Sequence, residues 1–165
     1  VQSLEPIAEQ VAALLVARRE TVAVAESSTG GLISSALLSV PGASAYFLGG
    51  AVVYTKTSRQ SLLGLGEAQM SGLRPSTEAY AHLLAETVRD RHDATWGIGE
   101  TGATGPTGNR YGDAAGHCCI GIGNSLKTMT MTIETGRADR PSNMRQFAST
   151  ALSLFLNELR AVPKA

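Results

Sequence analysis

Glu26-Ser27-Ser28-Thr29-Gly30-Gly31 gathers a carboxylate, three hydroxyls and two glycines in six consecutive residues. Serine is a weak nucleophile at its own pKa, so Ser27 needs a base and a site for an oxyanion nearby. Gly30 and Gly31 let the backbone approach a ligand. A helix starting there would offer free N–H groups near Gly30 to that oxyanion. The same hydroxyls have a plainer use, because Ser28 or Thr29 can simply cap the helix. The stretch does not fit the nucleophile elbow, which sets a glycine on both sides of the serine.

A second group is Tyr54-Thr55-Lys56-Thr57-Ser58-Arg59. Tyr54 and Lys56 are two apart and share a face if a strand runs through them. There they would act on a bound amide or orient a phosphate; the alternative is an aromatic core residue before a solvated helix start. A third group runs from Gly97 to Gly108, with Gly102, Thr104 and Gly105 at its centre. Glycines at this density after a strand can cradle phosphate through backbone N–H groups. The run lacks the Gly-Lys-Ser/Thr ending of a P-loop. His82, His92 and His117 have no ligand spacing, and no metal or cofactor is expected. Cys118 and Cys119 are neighbours in an apolar run and point to opposite faces of a strand, so they read as buried small hydrophobes in a reducing compartment.

The elements that must carry these groups follow from periodicity. Ser3 can cap a first helix that tolerates Pro6 and runs to about Arg19. Thr21 to Ala25 is a near-continuous apolar run, a strand covered on both faces. A second helix spans 30–38 and stops at Pro41-Gly42. Strands are expected at 50–55, 94–99, 116–122 and 128–133, the last from its strict Thr and Met/Ile alternation. Helices are expected at 57–63, from Pro75-Ser76-Thr77 onward, and from Pro141 onward. The stretch 100–115 is too rich in glycine for long regular structure. The order predicts an α/β fold: a three-layer α/β/α sandwich on a mixed, mainly parallel sheet that ends in an antiparallel hairpin. The Glu26 loop, the Tyr54 turn and the Gly102 loop all follow strands, so they are expected to meet at one sheet edge, with Ser27, Tyr54 and Gly105 bordering one pocket.

Composition narrows the function classes. The chain has 165 residues, 43% of them hydrophobic, and 14 basic side chains balance 14 acidic ones. That length fits one domain spanning 1–165. Zero net charge argues against a nucleic-acid binder that relies on phosphate attraction. No apolar run approaches a membrane span and no signal-like segment opens the chain, so a cytoplasmic protein without membrane contact is expected. Tyr46, Phe47 and Leu48 beside Gly49-Gly50 are either core or an exposed contact of a homo-oligomer, a common state for small α/β domains.

Ala25-Glu26-Ser27-Ser28-Thr29-Gly30-Gly31 resembles the A-E-S-x-T-G-G motif of the CinA C-terminal domain family. Members with known activity are nicotinamide-nucleotide amidases (nicotinamide mononucleotide deamidases). The resemblance covers nearly the whole chain. Pro41-Gly42-Ala43-Ser44-Ala45-Tyr46-Phe47 with Gly50 and Val53-Tyr54 is similar to the family's next segment. Leu62-Leu63-Gly64-Leu65, Gly102-Ala103-Thr104-Gly105-Pro106 and Asp139-Arg140 match later motifs in the same order. With no second domain before it, the chain looks like the stand-alone form.

The resemblance implies hydrolysis of the carboxamide of nicotinamide mononucleotide to nicotinate mononucleotide and ammonia. It implies Ser27 as nucleophile and Tyr54 as the second catalytic residue. Glu26, Thr29, Gly30, Gly31, Arg59, Gly102, Thr104 and Gly105 are then substrate-binding, and Arg140 holds the phosphate unless it pairs with Asp139. The small-molecule partner is a pyridine nucleotide. Two departures stand out. The family's lysine base, five residues after the tyrosine, is Arg59 here, and arginine stays protonated. Glu100-Thr101 precedes Gly102 where the family often has serine before the first glycine. Lys56 is the alternative base. The competing expectation is a catalytically silent member that binds a nucleotide or a partner protein.

Overall fold

The computed structural model describes residues 3–162. Five strands form one sheet in the order β2-β1-β3-β4-β5: β1 (Val22–Glu26), β2 (Phe47–Val52), β3 (Trp96–Ala103), β4 (His117–Gly123) and β5 (Thr128–Glu134). β1 lies between β2 and β3 and is parallel to both, whereas β3–β4 and β4–β5 are antiparallel. Helices separate the parallel strands. Only a loop joins β3 to β4, so the chain turns back there. The sheet is mixed and begins with its parallel strands, as expected.

The helices are α1 (Glu5–Arg18), α2 (Leu32–Leu38), α3 (Lys56–Leu63), α4 (Glu78–His92) and α5 (Arg140–Ala161), with a 3₁₀ turn at Ala43–Ala45. Every residue of β1 is buried, because helices cover both faces. Val22 and Val24 join α1, α2 and α5 in one core, while Ala23 and Ala25 join Leu63, Tyr80, Leu84 and Val88 in the other. Period-2 alternation therefore sends Glu26 toward α2 and α5, and Ser27 toward α3 and α4. Glu100 is the register partner of Glu26, so it shares the α2 side, and Thr101 faces α4.

Several boundaries differ from the sequence expectation. β2 starts at Phe47 and ends at Val52, because Thr55 caps α3: its side chain accepts from the Ser58 amide, and Ser58 returns a bond to the Thr55 amide. β3 continues through Glu100 to Ala103, where β1 and β4 both pair with it despite its glycines. Ser3 does not cap α1; Leu4 occupies that position without a side-chain cap. Of the candidate contact residues, Tyr46 is core and donates to the Leu37 carbonyl at 2.5 Å, while Leu48 is exposed.

Gly97 and Gly99 do not cradle a phosphate. They lie inside β3 under α4, where a Cβ on Gly99 would sit 2.2 Å from the Ala81 carbonyl oxygen and one on Gly97 2.0 Å from that of Ala85. The absence of side chains lets α4 lie directly on the sheet. Gly99→Ala is expected to push α4 away and cost about 1–3 kcal/mol, the usual range for overpacking. Urea unfolding measures it, and an unchanged midpoint would refute the close contact.

Candidate active site

The carboxyl ends of β1, β2 and β3 lie at one edge of the sheet, because the three strands are parallel. Chain segments that leave this edge enclose a cavity of about 350 Å³. Ser27 enters from the end of β1. Tyr54, Thr55, Lys56 and Arg59 come from the β2–α3 turn. Ser76 and Tyr80 come from the start of α4, and Thr101 and Gly102 from β3. Asn109, Arg110 and Tyr111 complete the wall from the β3–β4 loop.

Behind Ser27 lies a network of two fully buried carboxyls. Glu26 accepts from the amides of Gly31, Ile33 and Ser34 and from the hydroxyls of Thr29 and Ser34, at 2.7–3.1 Å. It thereby serves the free N–H groups that open α2. Glu100 accepts from the amides of Ser27 and Thr29, at 2.9 and 3.0 Å, and contacts the Ser28 hydroxyl. The Thr29 hydroxyl lies 2.7 Å from Glu26 and 2.8 Å from Glu100. One hydroxyl hydrogen cannot fully satisfy two acceptors, and a proton on one of the carboxyls relieves that conflict. Burial pushes the Glu100 pKa up, against hydrogen bonds from Ser28, Thr29 and Ser27 that lower it. We assign the proton to Glu100.

This network corrects one expectation. The amides near Gly30 are not open to an oxyanion: Gly30 N–H bonds the Ser27 carbonyl and Gly31 N–H bonds Glu26. A buried carboxyl at the end of the strand occupies the helix start instead. Polar side chains of the cavity wall, Lys56 and Arg59 among them, remain as donors.

Arg59 is only 8% exposed. Its guanidinium carbon lies 5.8 Å from the centroid of the Tyr80 ring, and its Nε has no hydrogen-bond partner among the described residues. Burial raises the Tyr80 pKa, against the hydrogen bond from Arg59 that lowers it. Tyr54 is exposed at the rim. Its hydroxyl accepts from Arg140 Nη2 at 3.0 Å, while Arg140 Nη1 donates to the Gly105 carbonyl at 2.6 Å. Arg140 thus ties the Tyr54 turn to the Gly105 loop, and Asp139 caps α5 through the Ser142 amide rather than pairing with it.

Ser27, Tyr54, Arg59 and Gly102 share the cavity wall with Lys56. Glu26, Thr29, Gly30, Gly31, Thr104, Gly105 and Arg140 do not line it. Glu26 and Thr29 stand behind Ser27, Gly31 opens α2 with φ 103°, and the Thr104 carbonyl accepts from Asn143.

The far wall was not foreseen from the sequence. Asn109 Oδ1 accepts from the amides of Tyr111 and Asp113, and Asp113 pairs with Arg74 at 2.8 Å. That hydrogen bond from Arg74 lowers the Asp113 pKa to about 2. His117 Nδ1 lies 2.5 Å from Glu134, and Nε2 lies 2.8 Å from the Ser76 carbonyl. Two acceptors need two N–H donors, so the ring is an imidazolium. Burial opposes that charge, but Glu134, the Ser76 carbonyl and Asp113 overcome it and the pKa is raised. Ser76, held in the left-handed region at φ 61°, is fixed from both sides, since its amide donates to Thr101. The Asn-x-x-Gly-Asp turn was the sequence signal for this wall.

The described residues contain no cluster of three or more His, Cys, Asp or Glu that would hold a metal, and no helix long and apolar enough to cross a membrane.

A serine at the carboxyl edge of a mixed α/β sheet, facing a cation-lined cavity, sits where open α/β sheets place their ligands. A sequence profile of the CinA C-terminal domain matches residues 4–159, and the chain belongs to that family. A CinA-like protein of Desulforapulum autotrophicum is 36% identical over 144 residues, 87% of this chain and 34% of the relative. One from Gloeobacter violaceus is 36% identical over 156 residues, covering 94% and 37%. The chain thus spans about a third of the length of these curated relatives. A competence-damaged protein (CinA) superfamily protein of Klebsiella pneumoniae superposes with a TM-score of 0.90 over 98% of this chain and 100% of that one, at 21% identity, which shows the shared fold.

Proposed function

We propose that the cavity binds a pyridine mononucleotide and that Ser27 hydrolyses its carboxamide, with Arg59 keeping the wild-type rate low. The observation that carries this reading is that Ser27 lines one cavity with Tyr54, Lys56 and Arg59. The volume, about 350 Å³, suits a ligand of mononucleotide size. Ser27 Oγ would add to the carboxamide carbon, and the C–N bond would break with release of ammonia. Water would then hydrolyse the acyl ester to the acid. Of the three cations on the wall, Lys56, Arg59 and Arg110, only Lys56 is not an arginine, so it is the candidate base for Ser27. The same reading makes the chain a cytoplasmic homo-oligomer that contacts neither nucleic acid nor membrane.

Ser27→Ala is expected to abolish ammonia release from nicotinamide mononucleotide. Undiminished release would remove Ser27 from the mechanism. Arg59 in the lysine position also favours a second reading, a silent member that binds a nucleotide without consuming it. In that case the nucleotide raises the melting temperature and is recovered intact.

A further inference from the structure

Lys56, Arg59 and Arg110 all line the cavity, and no Asp or Glu does. Arg59 is the unusual member of the three. More than nine-tenths of it is buried, it makes no ion pair among the described residues, and its Nε is unpartnered. A buried guanidinium without a counter-charge is costly, because desolvation is offset by neither a carboxylate nor a full set of acceptors. The Tyr80 ring contributes a cation–π contact but accepts nothing from Nε. The buried carboxyl of Glu100 offers no compensation. Its oxygens are engaged by Ser27, Ser28 and Thr29 on the other face of the sheet.

We propose that Arg59 is an oxyanion anchor: it binds a carboxylate or phosphate group of the cavity's ligand through its guanidinium fork, and the cavity therefore selects anionic ligands over neutral ones. The proposal rests on the pyridine-nucleotide reading for the identity of the ligand, but the anchor itself rests on Arg59 and its surroundings. Guanidinium presents paired N–H donors in a plane that matches two oxygens of one group, which a lysine ammonium does not. A residue that cannot act as a base thus gains a binding role at the same position. Two groups qualify chemically: the phosphate of a mononucleotide, and the carboxylate that replaces the carboxamide in the acid form.

Titration calorimetry separates them. Ser27→Ala serves as the parent, so that no ligand is consumed. The probes are nicotinamide mononucleotide, nicotinate mononucleotide, which adds a carboxylate, and nicotinamide riboside, which lacks the phosphate. The parent is expected to bind at least one charged probe about tenfold or more tightly than its less charged counterpart, and Arg59→Gln in the parent to erase that preference. Loss of the preference for acid over amide assigns the carboxylate to Arg59. Loss of the preference for mononucleotide over riboside assigns the phosphate.

A folded Arg59→Gln protein with unchanged affinity for all three probes overturns the anchor and leaves the pyridine-nucleotide reading intact. A parent that binds none of them overturns both. If the glutamine variant fails to melt cooperatively, Arg59→Lys carries the test. It keeps the charge but loses the fork, and is expected to weaken the preferred probe several-fold. Unchanged affinity there overturns the fork.

Discussion

Arg59→Lys is expected to raise ammonia release from nicotinamide mononucleotide by about 100-fold, the lower range of general acid–base contributions. Arginine holds its proton under all ordinary conditions, so the wild-type wall has a permanent cation where serine activation needs a group that can accept a proton. Lysine at the same position would be buried beside Lys56 and Arg110. Burial and like charge both favour the neutral amine, so a usable fraction would be deprotonated near neutral pH. The rate gain should carry a pH dependence absent from wild type, rising with pH as the new amine loses its proton. Adding Ser27→Ala must remove the gain. Fast wild-type turnover that the lysine does not improve would defeat the argument, and Lys56→Met would then be the decisive variant.

The fold was largely legible because its signals are local. Val22 to Ala25 and the apolar residues of α5 report burial through their own periodicity, and the Thr and Met/Ile alternation of β5 marks a strand, although Met131 is exposed at the sheet edge. The sequence reading failed where a tertiary partner overrides local preference. Glu100 to Ala103 reads as loop, yet β1 and β4 hold it as strand from both sides. Gly97 and Gly99 read as a phosphate cradle, and instead make room for the backbone of α4.

The site divides the same way. Ser27, Tyr54, Lys56 and Arg59 stand out by residue type and lie on segments that leave parallel strands, so topology alone brings them to one edge. The wall made by Ser76, Tyr80 and Asn109 to Tyr111 depends on contacts between residues far apart in the chain, such as His117 with Ser76 and Arg74 with Asp113. No local pattern encodes those distances. The use of Glu26 as the acceptor for α2, which closes the amides near Gly31, was hidden for a related reason. Strand alternation alone does not say which face receives a helix start.

The two buried carboxyls behind Ser27 are expected to respond in opposite directions when altered. Glu26→Ala removes the acceptor for three backbone amides and two hydroxyls. It should cost about 3 kcal/mol or more, since each buried group left unsatisfied costs about 1–3 kcal/mol. Glu100→Gln, by contrast, replaces a protonated carboxyl with a neutral group of the same shape that can both donate and accept. The pH dependence follows from the raised Glu100 pKa. Above the ordinary carboxylate range the unfolded chain releases this proton while the native state keeps it, so stability falls as pH rises toward the native value. The contribution is fully present below the unfolded pKa, and each unit by which the native pKa is raised corresponds to about 1.4 kcal/mol. Glu100→Gln carries no such proton and should flatten this part of the curve, equalling or exceeding wild type at neutral pH. Urea unfolding of both variants between about pH 5 and pH 9 tests the pair. If Glu100→Gln is destabilised as strongly as Glu26→Ala and keeps the wild-type slope, the proton does not reside on Glu100, and the Thr29 hydroxyl must be shared in the opposite sense.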